Sequence, residues 1–150
     1  MFDTVLIAGL GLMGGSMAKT IKARTLSRVL GWNRTRATAE QALADGSIDA
    51  IATEALYKEA DLVIIGLYPQ ATVDWLLENM PKMKKGCVIV DMVGVKQFMV
   101  DHLEQAALDA GVHYVGGHPM AGREFSGLDY SLPTLFDGAS MIFVPTKSST

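Results

Sequence analysis

The chain has 150 residues, of which 49% are hydrophobic, and 13 basic against 16 acidic residues give a formal charge of −3. This length suits one domain with a sizeable hydrophobic core. A single cysteine excludes an internal disulfide framework and a multi-cysteine metal site, so we expect no metal. Nucleic acid is not expected as a partner, because binding a phosphate backbone needs a surplus of basic residues that this chain lacks.

We do not expect a membrane partner either. The longest apolar run, residues 62–69, is much shorter than the roughly 18 residues that a spanning helix needs. The apolar stretch 4–18 is only loosely similar to a signal peptide, because Asp3 rather than a basic residue precedes it and glycines interrupt it. With one cysteine and no export signal, the chain is expected to be cytoplasmic.

Short β-branched apolar runs alternate with longer segments of helical spacing. In chain order, the predicted strands are residues 5–8, 29–32, 50–52, 62–67, 88–90, 114–115 and 141–144. The predicted helices are residues 12–24, 35–45, 70–80 and 96–110. This order predicts a Rossmann-type α/β fold, a doubly wound, mainly parallel sheet with helices on both faces, and residues 1–150 form one dinucleotide-binding domain. Functional residues should follow the carboxyl ends of the strands.

A G-x-G-x-x-G motif follows the first predicted strand and opens the first helix. Gly9 permits a tight turn, Gly11 lets the backbone approach a pyrophosphate, and Gly14 allows close packing of helix and strand. Ser16 is a candidate for an additional hydrogen bond to the phosphates. The predicted phosphate-binding residues are Gly9, Gly11, Leu12, Met13 and Gly14. No G-K-[ST] sequence follows, so hydrolysis of a nucleoside triphosphate is not supported.

The end of the second strand bears on the choice between NAD and NADP. Many NAD sites place a carboxylate there to bind the ribose 2′-hydroxyl, whereas this chain has Asn33, Arg34 and Thr35. Without a carboxylate, and with Arg34 available to pair with a 2′-phosphate, NADP is favoured over NAD. The alternative is that Arg34 is a solvated loop residue and Asn33 caps the next helix.

Three further strand ends carry candidate site residues. Tyr68 and Pro69 follow the fourth strand, where Tyr68 is either a partner of the nicotinamide or an ordinary rim aromatic. Asp91 to Lys96 follow the fifth strand. His118 lies after the sixth, between a pair of glycines and a proline, which core packing explains poorly. Histidine changes charge near neutral pH, so His118 is a candidate general base, with a structural loop histidine as the alternative.

With these motifs, the chain resembles the prephenate/arogenate dehydrogenase family of tyrosine biosynthesis. The resemblance is carried by GLGLMGGS at residues 9–16, D-x-x-x-V-K at 91–96 and GGHPMAGREFSG at 116–127. It implies an oxidoreductase that uses NAD or NADP for the oxidative decarboxylation of prephenate to 4-hydroxyphenylpyruvate, or of arogenate to tyrosine. The chain would be the N-terminal nucleotide-binding domain. The family's C-terminal helical domain, which binds substrate and forms a homodimer, has no counterpart in these 150 residues.

The resemblance also implies roles for single residues. His118 would accept the proton of the substrate's ring hydroxyl, and Glu124 would lie at the active-site mouth and take part in gating. Gly94 stands where many members have a serine beside the histidine, so the role of that serine is in doubt here. The remaining residues implied in the substrate loop are Lys96, Ser126 and Gly127, with a first-turn helix lysine as the alternative for Lys96. Gly94 is implied beside the cofactor, and the strand-end position of Tyr68 and Pro69 places them on the nicotinamide side.

Two alternatives remain open from the sequence. Other NADP-dependent hydroxy-acid dehydrogenases share GLG-x-MG and the Asn-Arg-Thr sequence, although they lack the HPMAG-x-E-x-SG string. The chain would alternatively be a dinucleotide-binding module with no catalysis of its own, because nothing in it supplies a complete substrate pocket.

Overall fold

A computed structural model of the chain describes residues 2–121 and 126–149. Within these residues the strands are β1 Thr4–Ala8, β2 Arg28–Trp32, β3 Ala50–Ile51, β4 Leu62–Ile65, β5 Val88–Asp91, β6 His113–Pro119 and β7 Met141–Pro145. The helices are α1 Leu12–Arg24, α2 Arg36–Ala44, α3 Glu54–Tyr57, α4 Pro69–Asn79 and α5 Lys96–Ala110. Short 3₁₀ turns lie at Met80–Lys82, Leu128–Tyr130 and Lys147–Ser149.

The strands form one sheet in the order β3-β2-β1-β4-β5-β6-β7. All neighbouring pairs among β1 to β6 are parallel, and β7 pairs antiparallel with β6. The prediction of a Rossmann-type, doubly wound and mainly parallel sheet is confirmed. Because parallel strands share one direction, the carboxyl ends of β1, β4, β5 and β6 lie at one edge, where this architecture binds its ligands.

Alternating side chains of the strands enter two hydrophobic cores, one on each face of the sheet. In β1, Val5 and Ile7 pack with residues of α1 and α2, whereas Leu6 and Ala8 pack with residues of α4 and α5. Both faces are therefore covered by helices at the centre of the sheet, which explains why the central strands are almost continuously apolar in sequence. This packing makes the sheet a rigid support for the loops at its carboxyl edge.

The ends of the helices follow from local chemistry. Pro69 occupies the first residue of α4, where a missing N–H costs no helical hydrogen bond. Gly111 ends α5 in the left-handed conformation, with φ of 72°, which glycine adopts without steric cost. The short helix α3 was not predicted, because four residues are too few to show a helical period.

β6 is longer than the sequence predicts. Its parallel pairing with β5 ends at Val115, opposite Val90, but the strand continues to Pro119 because β7 pairs with its second half. His118 therefore lies inside β6, opposite Ile142, rather than just after a strand. The extension carries His118 beyond the end of β5 at the carboxyl edge of the sheet.

No helix in the described part of the chain is long and apolar enough to cross a membrane. Likewise, residues 2–121 and 126–149 contain no cluster of three or more histidine, cysteine, aspartate or glutamate side chains that could hold a metal ion.

Candidate functional site

Three glycines bring the turn after β1 into direct backbone contact with the end of β4. Gly9 has φ of 94°, and a Cβ placed on it would lie 2.6 Å from the carbonyl oxygen of Gly66. A Cβ on Gly14 would overlap the carbonyl oxygen of Gly9, and one on Gly66 would lie 3.0 Å from Gly14 Cα. The predicted roles of Gly9 and Gly14 agree with this packing. Gly66 was missed because it falls inside the predicted strand 62–67, although a glycine within an apolar strand is a usable signal of close backbone approach.

Gly11 differs from these glycines, because a Cβ built on it meets no atom within 4 Å. It precedes α1, whose first residues Leu12 and Met13 are half-buried. The Gly15 N–H donates to Gly11 O at 2.8 Å, so the N–H groups before it have no acceptor within the helix. The first turn of α1 carries no acidic residue. Open space, available N–H groups and the positive end of the helix fit the pyrophosphate of a dinucleotide.

The buried Ser16 hydroxyl faces a different part of the chain. Its oxygen accepts a hydrogen bond from the Leu132 N–H at 2.9 Å, and the side chain has no exposed surface. Lys19 donates to Ser131 O at 3.2 Å one turn later. Ser16 therefore helps to dock the segment after Gly127 onto α1, and its hydrogen bond to a phosphate stays a prediction.

At the end of β2, Asn33 and Arg34 are in different situations. Asn33 Oδ1 accepts from Leu10 N at 2.9 Å, and its Nδ2 donates to Thr35 O at 3.1 Å, so this side chain holds the glycine turn in place. Arg34 is exposed and makes no ion pair with any described residue. Thr35 is the exposed N-cap residue of α2, and no side chain caps the helix. Arg34 is thus available to a ligand at this edge.

Tyr68 and Pro69 lie between β4 and α4 at the same edge. Tyr68 is the N-cap residue of α4 and 84% of its surface is exposed, while Pro69 begins the helix. An exposed ring beside Gly66 fits both interpretations of Tyr68, contact with a ligand and a rim position.

His118 is half-buried and lies against the loop that follows β5. A Cβ placed on Gly94 would lie 3.4 Å from His118 Cε1 and 3.6 Å from Nε2. The ring therefore contacts the position where many family members have a serine. Within the described residues, neither ring nitrogen of His118 has a hydrogen-bond partner. The geometry leaves the imidazole able to bind a ligand on the open side of the sheet edge.

The two glycines before His118 have different neighbours. A Cβ on Gly117 would lie 2.5 Å from the backbone oxygen of Asp91, so glycine is needed where the ends of β5 and β6 approach closely. A Cβ on Gly116 would lie 3.0 Å from Cδ of Lys96, so glycine leaves room for a side chain that crosses the strand.

Asp91 is the buried acceptor of a cluster between β5 and β6. It accepts hydrogen bonds from the Tyr114 hydroxyl, the Lys96 ammonium and, at 3.0 Å, the Val93 N–H. Asp91 and Tyr114 have no exposed surface. Burial, together with the nearby Asp91 carboxylate, raises the pKa of Tyr114, so its hydroxyl remains a donor. Sequence reasoning did not find Tyr114, because a tyrosine in a strand is an ordinary core residue.

Two of the remaining residues of the predicted substrate loop, Ser126 and Gly127, lie within the described part of the chain. Glu124 lies outside the described residues. Ser126 and Gly127 are exposed, and Gly127 has φ of 96° before the turn at Leu128–Tyr130. Leu128 is buried and packs over Gly15 of α1. The described end of the loop therefore returns to the helix that begins at the glycine turn.

Cys87 and the two other histidines lie away from this edge. Burial raises the pKa of the Cys87 thiol to about 12, so it packs as a small apolar side chain rather than acting as a nucleophile. His113 Nδ1 lies 2.7 Å from Ser148 O, and His102 Nδ1 lies 2.8 Å from Phe98 O. These contacts give both rings structural roles.

Known proteins share both the sequence pattern and the fold. The family model described as prephenate dehydrogenase, nucleotide-binding domain, matches residues 17–150. Prephenate dehydrogenase of Bacillus subtilis is 38% identical over 153 residues, which cover 99% of this chain and 41% of that protein. The chain thus spans less than half the length of this relative.

Two solved structures are also similar. The crystal structure of prephenate dehydrogenase from Aquifex aeolicus, in complex with hydroxyphenyl propionate and NAD+, is 28% identical with a TM-score of 0.89, covering 100% of this chain and 53% of that chain. Synechocystis arogenate dehydrogenase is 25% identical with a TM-score of 0.87, covering 98% of this chain and 51% of that chain. Sequence, fold and the glycine turn therefore agree: the chain belongs to the prephenate dehydrogenase family and corresponds to its nucleotide-binding domain.

Proposed function

We propose that this chain is the cofactor-binding half of an NAD(P)-dependent dehydrogenase of tyrosine biosynthesis. Its substrate is prephenate, which yields 4-hydroxyphenylpyruvate, or arogenate, which yields tyrosine. The observation that carries the proposal is the position of His118, whose ring lies against Gly94 at the same sheet edge as the open glycine turn. The names of the similar proteins, which include both a prephenate and an arogenate dehydrogenase, support the two candidate substrates.

The dinucleotide is proposed to extend along the carboxyl edge from β2 to β5. Its pyrophosphate would bind at the glycine turn, the adenosine ribose at the end of β2, and the nicotinamide near the ends of β4 and β5. The proposed contacts, in that order, are Gly9, Gly11, Leu12, Met13 and Gly14, then Asn33, Arg34 and Thr35, then Tyr68, Pro69 and Gly94. Of these side chains, Asn33 already holds the glycine turn, so we assign it to shaping the site.

In the proposed reaction, the bound nicotinamide supplies the acceptor for a hydride from the hydroxyl-bearing ring carbon. His118 acts on the other side of the same step. Its neutral imidazole accepts the proton of the ring hydroxyl, which must leave as the carbonyl forms. Loss of the ring carboxylate as carbon dioxide makes the ring aromatic, so the protein's main tasks are to supply a base and to hold it in position.

The substrate side of the site is proposed to involve the loop after His118. Glu124 would gate the active-site mouth, Ser126 and Gly127 would border the substrate, and Lys96, whose ammonium is bound to Asp91, would support the site from the start of α5. After the end of this loop, Leu128 packs over Gly15 and the Leu132 N–H donates to Ser16, both on α1. These contacts link the substrate loop to the helix that begins at the glycine turn.

We favour NADP over NAD as the cofactor. Arg34 is exposed, pairs with no carboxylate among the described residues, and follows the end of β2 where a 2′-phosphate would lie. A guanidinium binds phosphate oxygens through two parallel hydrogen bonds, which a ribose hydroxyl does not match.

We also propose that residues 1–150 are one domain of a longer cytoplasmic protein. A C-terminal helical domain would supply the remaining substrate contacts and the homodimer interface. The support is that this chain spans only 41% of its relative from Bacillus subtilis and about half of each similar solved chain.

The proposal is tested by assaying the complete gene product with prephenate and arogenate, each with NAD and NADP. We expect reduction of the dinucleotide with at least one of the two substrates, and faster reduction of NADP than of NAD. Turnover of a 3-hydroxy acid, with no activity on prephenate or arogenate, would favour a different hydroxy-acid dehydrogenase. Dinucleotide binding without turnover of any of these compounds would indicate a binding module.

A further inference from the structure

A buried ion pair lies behind His118, between the end of β5 and the start of α5. The Asp91 carboxylate has no exposed surface, and the Lys96 side chain is only 15% exposed. Replacing a buried ion pair by apolar residues is often neutral or stabilising, because desolvation of the two charges offsets their attraction. Stabilisation of the fold therefore explains this ion pair poorly, and its position in the site is the better indication of its role.

Lys96 crosses β6 on the face that carries His118. Side chains two residues apart lie on the same face of a strand, so Tyr114, Gly116 and His118 form one row. The stem of Lys96 lies over Gly116, where a Cβ would approach its Cδ to 3.0 Å. Its ammonium is bound to Asp91 in the sheet, so the contact directs the charge of Lys96 toward the protein interior.

The same cluster closes the loop 92–95 at both ends. Asp91 accepts from Val93 N at 3.0 Å at the start, and Lys96 N donates to Gly94 O at 3.2 Å at the end. The ion pair joins the residue before the loop to the residue after it. Gly94, between these bonds, is the residue that lies against the His118 ring.

We infer that Asp91 and Lys96 are positioning residues, which fix the loop 92–95 and thereby set the orientation of the His118 ring through Gly94. Lys96 then acts through Asp91 rather than by binding the substrate. This inference rests on the proposed role of His118 as the base. Gly94 of the loop lies against the ring, and His118 shares its strand with Tyr114 and Gly116 and pairs with Ile142 of β7. Arg123 and Glu124 lie outside the described residues.

The first test is a double-mutant cycle in the complete gene product. Asp91→Asn and Lys96→Met should each lower kcat by about 10-fold, since misplacing a catalytic group by about 1 Å can cost up to about 100-fold. We expect KM for the substrate and Kd for the dinucleotide to stay within about twofold, and the double variant to be no slower than the slower single variant. Multiplicative losses in the double variant, or a raised KM confined to Lys96→Met, would show that Lys96 binds the substrate directly.

The second test does not depend on turnover and uses a milder change. Tyr114→Phe removes one hydrogen bond to Asp91 and keeps the ring. In NMR spectra of the 150-residue chain, it should move the His118 imidazole signals and leave those of exposed His102 in place. Unchanged His118 signals in this variant would overturn the inference. Should the wild-type enzyme turn over neither substrate while these signals still move, the proposed function fails and the positioning role stands.

The more exposed ion pair of Asp61 with Lys84 supplies a control away from the site. Asp61 also accepts two backbone hydrogen bonds, from Asp3 N at 3.0 Å and Thr4 N at 2.9 Å, but it lies just before β4, at the amino edge of the sheet. Lys84→Met should leave both kcat and the His118 signals unchanged. An equal effect of Lys84→Met and Lys96→Met would mean that the losses reflect general destabilisation, which would also overturn the inference.

Discussion

The two parts of the carboxyl edge are held in place by different means. Around β1, the glycine turn is fixed by backbone contacts among Gly9, Gly14 and Gly66, with Asn33 as the side chain that braces it. Around β6, His118 is placed by side chains, through the ion pair of Asp91 and Lys96. The backbone contacts at these glycines bury no charged group and leave no room for an added atom. The side-chain cluster around Asp91, in contrast, can be changed one hydrogen bond at a time.

This difference predicts how each part responds to mutation. A methyl group added at Gly9, Gly14 or Gly66 has no room and forces the backbone to move, so we expect stability and binding to be lost together there. Substitutions such as His118→Asn and Tyr114→Phe add no bulk, so we expect them to leave the sheet intact and to act mainly on the reaction step. The predictions below separate these two kinds of effect.

The largest effect is expected from His118→Asn in the complete gene product. Removing the base should lower kcat by about 100- to 10,000-fold, because general-base catalysis contributes about that factor. Dinucleotide affinity should be unchanged, as measured by titration of the same variant. The exposed His102 provides the matched control, since His102→Asn should leave kcat unaltered. Near wild-type turnover by His118→Asn would remove His118 from the role of base.

A pair of glycine variants should separate folding from binding in the other part of the edge. Gly14→Ala would place a methyl group on the Gly9 carbonyl oxygen, so we expect a loss of about 3 kcal/mol in the free energy of unfolding. Gly11→Ala points a methyl group into open space, and its free energy of unfolding should change by less than about 1 kcal/mol.

Dinucleotide affinity should nevertheless fall in Gly11→Ala, because the methyl group would occupy the space of the pyrophosphate. Urea unfolding and calorimetric titration of the 150-residue chain measure the two quantities. Unchanged affinity in Gly11→Ala would mean that the phosphates bind elsewhere, and equal stability of the two variants would contradict the close packing at Gly14.

The smallest effect is expected at the end of β2. Arg34→Ala should weaken NADP binding by about 10-fold, which corresponds to about 1.4 kcal/mol, and leave NAD binding nearly unchanged. Arg28, at the amino end of β2 and paired with Glu59 at 3.1 Å, is the control, because Arg28→Ala should alter neither affinity. Equal weakening of both dinucleotides in Arg34→Ala would remove the reason for preferring NADP.

Much of the fold follows from local sequence patterns. The predicted strands and the four predicted helices are all present, because each apolar run or helical period lies within a few consecutive residues. The glycine turn is local in the same sense. The observed ends of the strands differ from the predicted ends where a strand distant in sequence determines them. β6 extends to His118 and Pro119 only because β7, more than 20 residues later, pairs with it.

The parts of the site that the sequence did not predict depend on contacts between distant residues. Tyr114 and Asp91 are 23 residues apart, and Gly66 packs on Gly14 from another strand end. The hydrogen bond between Ser16 and Leu132, which are 116 residues apart, was not predicted either. Such pairings depend on the order of strands in the sheet, which a local motif does not contain.

The central claim is that the glycine turn of this chain binds a nicotinamide dinucleotide, and the most direct measurement is calorimetric titration of the wild-type chain, the reference for Arg34→Ala and Arg28→Ala. Calorimetry of the 150-residue chain with NADP and NAD should give one binding site for each, with NADP the tighter ligand. Binding of neither dinucleotide by the folded chain would contradict the account.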